Sequence, residues 1–154
     1  MTDSKTPLKV LVIGTEPPCP RCALLCRMVE QAAADGTPVE LDHCAFEDEK
    51  AGKLAERYGR RVGTAKHVSK ASGIELDGDA VRETIESARK AAGPGSDIAD
   101  AWTPRLDELL DPCRRAADSV GYYMTPVLVV DGVVVHHGSV PSKEQLRELL
   151  HPRH

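Results

Sequence analysis

The sequence predicts an α/β fold in which helices flank a central mixed sheet of about four strands. Near the N-terminus, two aliphatic runs are joined by one amphipathic helix, which is typical of two parallel strands. Near the C-terminus, two further aliphatic runs flank an Asp-Gly turn, which is typical of an antiparallel hairpin. Between these halves the pattern is almost wholly helical.

The chain has 154 residues, enough for one domain with a sizeable insertion. Its 41% hydrophobic and 29% charged residues argue against disorder, and its net charge of −4 gives no reason to expect nucleic acid or an anionic membrane as a partner. A faint helix-turn-helix pattern over 63–81 is followed by acidic residues that phosphates would repel. With no secretory signal or membrane span in the sequence, we expect a cytoplasmic protein.

The N-terminal half predicts a βαβ unit. Residues 8–13 (LKVLVI) form a short aliphatic run typical of a buried strand. A helix then begins at the Cys19-Pro20-Arg21-Cys22 segment and is expected to end near Ala34. Its inward stripe has helical spacing and comprises Cys22, Leu25, Cys26, Val29, Ala32 and Ala33. Residues 38–44 (PVELDHC) then predict a second strand, parallel to the first.

The C-terminal half predicts a hairpin and a final helix. Strands over 127–130 and 133–137 flank the Asp131-Gly132 turn. A capping box at Ser142 begins a helix that is expected to reach about Leu150.

Residues 49–110 are predicted to be an all-helical insertion. One helix is expected to carry apolar positions from Ala51 to Val62, and a second to be capped by Asp79 and closed by Gly93. A third should begin at Thr103-Pro104. Asp111-Pro112 predicts the start of a separate helix, so the remaining domain is discontinuous and comprises residues 8–48 and 111–150.

The segment Cys19-Pro20-Arg21-Cys22 forms a Cys-x-x-Cys motif at the start of a helix. A thiolate is the reactive form of cysteine, and a helix N-terminus stabilises it through its free N–H groups and its dipole. Arg21 adds local positive charge, and Pro20 fits the first helical turn. We therefore predict a Cys19 pKa within the range of about 3.5–7.5 seen at such sites. Cys22 should face inward, where it can attack a mixed disulfide at Cys19.

The order of these parts resembles the thioredoxin superfamily. The matching segments are 8–48 and 111–150, a little over half the chain. Their elements come in the order strand, CPRC, helix, strand, helix, Thr125-Pro126, strand, Asp-Gly turn, strand, Gly138 and helix. The sequence departs from thioredoxins proper because two prolines replace the aromatic residue before the motif and the first strand lacks their buried acid. The helical insertion looks more like those with which thiol oxidases of the superfamily shape a substrate surface.

The resemblance implies a thiol–disulfide oxidoreductase that reduces or exchanges disulfides in a protein or small molecule. Cys19 would attack the substrate, and Cys22 would resolve the mixed disulfide. Pro126 would be cis and face the pair, and the Thr125 backbone would pair with an extended substrate segment. The expected substrate-binding residues are Thr125, Pro126, Pro20 and Arg21. An upstream thiol/disulfide reductase is the expected partner, and no organic cofactor is implied.

The main alternative is a soft-metal or metalloid binding module that uses Cys19, Cys22 and possibly Cys26. Cys19 and Cys26 lie about 10 Å apart along a helix axis, so one ion would bridge two of the thiols rather than all three. Cys26 shares the apolar stripe, which favours simple packing.

The histidines give weaker signals. His136 and His137 alternate across a predicted strand and so cannot chelate as a pair, although one of them, beside Gly138, is a candidate for tuning the dithiol. His43 and Cys44 are also strand neighbours that point to opposite faces, which argues against a joint metal site.

Overall fold

The structure is a computed structural model that describes residues 6–151. The described residues form six strands: β1 (Leu8–Gly14), β2 (Val39–Ala45), β3 (Arg61–Gly63), β4 (Tyr122–Met124), β5 (Val127–Val130) and β6 (Val133–His137). Four of them make the main sheet in the order β2-β1-β5-β6. β1 and β2 are parallel, whereas β5 is antiparallel to both β1 and β6. The predicted α/β class and mixed four-stranded sheet are confirmed.

The helices are α1 (Pro20–Ala34), α2 (Glu49–Tyr58), α3 (Ala65–Ser72), α4 (Gly78–Ala92), α5 (Pro104–Ala117) and α6 (Lys143–Leu150). Short 3₁₀ turns cover Ile98–Ala101 and Asp118–Val120. The predicted capping box at Ser142 is confirmed, since its Oγ accepts from the Gln145 N–H at 3.1 Å and Gln145 Oε1 accepts from the Ser142 N–H at 2.9 Å. No helix within the described residues is both long and apolar enough to cross a membrane.

The hairpin was predicted at its observed place. Asp131 and Gly132 have φ values of 49° and 83°, and this left-handed pair turns β5 into β6. α1 and α6 cover one face of the main sheet, and α2 lies against the other. A third apolar cluster joins α3 and α5 to β4, so the helical segment has a core of its own.

The expectation of an all-helical insertion is wrong at β3. Residues 61–63 pair in parallel with residues 122–124 as a separate two-stranded sheet. The sequence assigned Val62 to the end of a helix, but Gly59 adopts a left-handed conformation with φ 65° and ends α2 at Tyr58. Three residues are too few for the alternation that identifies a strand.

The predicted break at Asp111-Pro112 is also wrong, because α5 is continuous and contains Pro112. Asp111 forms ion pairs with Arg114 and Arg115 instead of capping a new helix. One buried stripe runs along the whole of α5 and comprises Leu106, Leu110, Cys113 and Ala117. Packing of this stripe against a common core offsets the backbone hydrogen bond that proline removes. The proposed boundary between residues 110 and 111 therefore falls within a helix.

The start of α4 is another local correction. The predicted cap was Asp79, whereas Asp77 is the capping residue, and its Oδ1 accepts from the Ala80 N–H at 3.0 Å. The predicted end of this helix at Gly93 matches the end of α4. The predicted start of the next helix at Thr103-Pro104 matches the start of α5.

Candidate functional site

The two cysteines of the CPRC motif meet at the N-terminus of α1. Cys19 is the residue before the helix, with extended backbone angles, and its carbonyl accepts from the Ala23 N–H at 3.0 Å. Cys22 lies one turn later and is fully buried, as predicted. The two Sγ atoms are 3.2 Å apart, within hydrogen-bond distance for sulfur. A thiol on one residue can therefore stabilise a thiolate on the other.

The environment divides the two thiols into different roles. The hydrogen bond from Cys22 lowers the pKa of Cys19 to about 6, helped by the Cys22 and Arg21 backbone N–H groups and by the charge of Arg21. This outweighs partial burial, which acts in the opposite direction. The same hydrogen bond and full burial raise the pKa of Cys22 far above its usual value. These shifts favour Cys19 as the thiolate and Cys22 as the protonated donor.

The other cysteines lack these features. Burial raises the pKa of Cys26 to about 11, and Glu30 acts in the same direction. Burial also raises the pKa of Cys44 to about 11, and it raises that of Cys113. Within residues 6–151, no three His, Cys, Asp or Glu side chains converge as a metal site would require. The three-thiol form of the metal alternative therefore has no support in the geometry.

Arg21 is buried, with only 4% of its surface exposed. Its Nε donates to Asp107 Oδ1 at 2.7 Å, and a terminal nitrogen donates to the Thr125 carbonyl at 3.3 Å. The other terminal nitrogen donates to the Gly138 carbonyl. One side chain thus joins α1 to α5 and to the loops on both sides of the hairpin. Protein groups thus occupy its donors, and its expected contact with substrate stays a prediction.

The Thr125–Pro126 peptide bond is cis, as the family resemblance implies. The Thr125 backbone, which was expected to pair with an extended substrate segment, already has partners within the chain. Its N–H donates to the Gly63 carbonyl at 2.8 Å, and its carbonyl accepts from Arg21. β3 ends at Gly63, and its pairing with β4 continues by one hydrogen bond to Thr125. The chain itself therefore occupies the backbone edge at Thr125. Pro126 is fully buried.

A groove of about 380 Å³ opens beside Cys19. The start of α1 forms one wall, including Pro20 and Arg21, and Thr125 lies at its base. The helical segment supplies the other walls with mainly apolar side chains, namely Leu76, Val81, Ile85, Leu106 and Leu110. Lys66 and Arg82 also line it and are exposed. Sequence reasoning missed this groove, because its walls come from segments that are distant in sequence.

His137 contacts residues around β4 rather than the cysteines. Its Nδ1 accepts from the Met124 N–H at 3.1 Å, and its Nε2 lies 3.4 Å from Asp118. Its ring packs edge-on against Tyr123. These contacts do not favour the idea that it tunes the dithiol.

The C-terminal part of this chain is similar to a known family of domains. A family model described as a thioredoxin domain matches residues 113–151, which include β4, β5, β6 and α6. The crystal structure of Pseudomonas aeruginosa DsbA aligns with 97% of this chain and 82% of its own, at 17% identity and a TM-score of 0.32. No curated protein sequence matches the chain.

Proposed function

We propose that this chain, whose residues 113–151 match a thioredoxin-domain family model, is a thiol–disulfide oxidoreductase with Cys19 as nucleophile and Cys22 as resolving thiol. The observation that carries the proposal is the pair of Sγ atoms 3.2 Å apart at a helix N-terminus. Their pKa values shift in opposite directions, which suits one thiol for attack and the other for delayed release.

The reaction proceeds in two exchanges. The Cys19 thiolate attacks one sulfur of a substrate disulfide, forms a mixed disulfide and expels the other sulfur as a thiolate. Cys22 then loses its proton and attacks Cys19 Sγ, which breaks the mixed disulfide and releases the second substrate thiolate. The substrate disulfide is reduced by two electrons, and Cys19 and Cys22 are oxidised to a disulfide. An upstream thiol/disulfide reductase would restore the dithiol.

We propose that the groove beside Cys19 receives the substrate. It is the concave apolar surface that the nucleophile itself lines, whereas the strand edge at Thr125 is already paired. Pro20, Arg21 and Thr125 line the groove, and Arg21 also donates to the Thr125 carbonyl. A cytoplasmic location stays a prediction.

The direct test is redox titration with thiol trapping. Purified protein is equilibrated in glutathione buffers, quenched with an alkylating reagent and analysed by mass spectrometry. We expect one reversible two-electron couple whose oxidised form carries a Cys19–Cys22 disulfide. Disulfides that instead join other cysteines, or the absence of any reversible couple, would contradict the proposal. A metal assay of the same protein tests the metal-binding alternative.

Alkylation should identify Cys19 as the fastest thiol. The thiolate fraction of Cys19 rises with pH through about 6, so its labelling rate should increase across that range and level off above it. At neutral pH, Cys19 should react about tenfold to a hundredfold faster than Cys26, because the larger thiolate fraction outweighs the lower nucleophilicity of a low-pKa thiol.

Peptide mapping after brief labelling measures both rates in one sample. Labelling in denaturant is the internal control, since the two cysteines should then react at similar rates. If Cys26 were the faster thiol in the folded protein, the assignment of the nucleophile would be wrong.

The groove predicts an effect of Val81→Gln on substrate use. Val81 lines the groove from α4, and a polar amide there would remove apolar contact worth about 1 kcal/mol. We expect the kcat/KM for an aromatic disulfide to fall about three- to tenfold through KM, with Cys19 alkylation unchanged.

Ser87→Gln is the matched control, because Ser87 is exposed on the same helix and lies outside the groove lining. Equal kcat/KM values for the two variants would show that substrate does not use the groove.

A further inference from the structure

His43 is a half-buried histidine whose Nε2 atom is buried, and the proposed exchange has not yet used it. In the parallel pairing of β1 with β2, His43 is the partner of Val12. Strand alternation puts it on the face of β2 that also carries Leu41, which packs with the cluster beneath α1. Cys44 points to the opposite face and belongs to the other core cluster. His43 therefore lies on the side of the sheet that α1 covers.

Gly14 brings His43 close to the resolving thiol. A Cβ atom added to Gly14 would be 2.3 Å from Cys22 Sγ and 3.3 Å from His43 Nε2. Both atoms thus border the same point, which the glycine leaves free of any side chain. The end of β1 is the place where the buried Nε2 atom of His43 and the Cys22 Sγ atom approach each other.

His43 Nε2 is buried and has no hydrogen-bond partner among the described residues. A buried polar atom without a partner is unfavourable, so its presence calls for an explanation. With the ring proton on Nδ1, Nε2 is an acceptor, and the nearby group that has a proton to give is the Cys22 thiol.

We propose that His43 Nε2 accepts the Cys22 thiol proton when Cys22 attacks the mixed disulfide at Cys19. This inference rests on the proposed function and names a group for its second exchange. The thiol S–H bond breaks and its proton moves to Nε2. The Cys22–Cys19 bond forms, and the electron pair of the broken mixed disulfide leaves on the substrate sulfur. The imidazolium can then protonate that thiolate, which restores neutral His43.

The second exchange needs such an acceptor. Cys22 is fully buried, and burial raises its pKa even apart from its hydrogen bond to Cys19. β1 contains no Asp or Glu that would accept its proton. His43 is the imidazole that borders the same gap.

The pH dependence of this step also reflects the groups around His43. They are Cys22, Cys26, Arg27 and Glu30 on α1, Asp97 before the 3₁₀ turn, and Asp42 on β2. Arg27 forms ion pairs with Asp97 and Asp100, which limits the net charge on that side.

The test is single-turnover kinetics of His43→Gln with a small aromatic disulfide. Release of the first thiolate reports attack by Cys19, and acid quenching with mass spectrometry reports decay of the mixed disulfide. We expect the second step to slow about tenfold or more at neutral pH, with the first step unchanged, because glutamine cannot take up a proton. Glu40→Gln is the control and should leave both steps unchanged, because Glu40 is exposed on the opposite face of the same strand.

Equal second-step rates in His43→Gln and the parent would overturn the assignment, as would equal slowing of both steps, which indicates a structural role. Absence of any mixed disulfide in the parent would instead overturn the proposed function. A measurement on the parent covers the case in which the variant fails to fold. Its second step should show a solvent deuterium isotope effect that its first step lacks, because only the second step moves a thiol proton, and equal effects on the two steps would contradict the proposal.

Discussion

Replacement of Cys22 by serine is expected to abolish turnover and leave a long-lived mixed disulfide at Cys19. Serine cannot displace the substrate sulfur, so nothing within the chain releases the intermediate. A serine hydroxyl can still donate a hydrogen bond to the Cys19 thiolate, and that bond is the largest cause of its lowered pKa. Attack by Cys19 should therefore continue. Non-reducing mass spectrometry after exposure to a disulfide measures the trapped adduct.

Cys22→Ala separates the two effects of Cys22. Alanine also prevents resolution, but it removes the hydrogen bond, so the pKa of Cys19 should rise and adduct formation at neutral pH should slow. Cys26→Ser is the matched control one turn further along α1 and should turn over normally. Equal trapping by Cys19→Ser would contradict the assignment of nucleophile and resolving thiol.

The parts of the fold that the sequence predicted correctly depend on interactions between near neighbours. The Asp131-Gly132 turn and the Ser142 capping box each involve residues at most three positions apart. The start of α1 is equally local, because Pro20 and the free N–H groups of the first turn define it. This local information was enough to predict that Cys22 is buried one turn after Cys19.

The parts that were missed depend on contacts across the chain. The pairing of residues 61–63 with 122–124 has no local signal, and it is this pairing that occupies the Thr125 N–H. Pro112 indicated a helix boundary by its own preference, but a continuous buried stripe kept α5 intact. Tertiary packing overrode local preference in both cases.

Arg21 shows the same limit within the site. Its position beside Cys19 suggested contact with substrate, yet its ion-pair partner Asp107 lies 86 positions away on α5. Asp107 Oδ2 also accepts from the Val140 N–H at 2.9 Å, so the pair extends to the loop after β6. The helical segment thereby fixes both the reactive turn and the groove wall, which gives it a part in the site that no local pattern indicated.

Arg21→Met should cause a large loss of stability. The substitution keeps an apolar stem but leaves Asp107, 17% exposed, without its cation and leaves the Thr125 and Gly138 carbonyls without a donor. Breaking a buried ion pair by removing one partner destabilises a protein by about 3–5 kcal/mol, and the partial exposure of Asp107 favours the lower end. Urea unfolding of the reduced protein measures this difference in the free energy of unfolding.

Arg27→Met is the matched control on the same helix. Arg27 forms ion pairs with Asp97 and Asp100, but its side chain is 35% exposed, so its loss should reduce stability by only about 0–1 kcal/mol. Arg21→Met should also raise the pKa of Cys19, because the charge of Arg21 contributes to lowering it. The midpoint of the alkylation profile would then move to higher pH, whereas Arg27→Met should leave it in place. Similar stability losses and unshifted profiles for both variants would mean that Arg21 is not the link between α1, α5 and the hairpin loops.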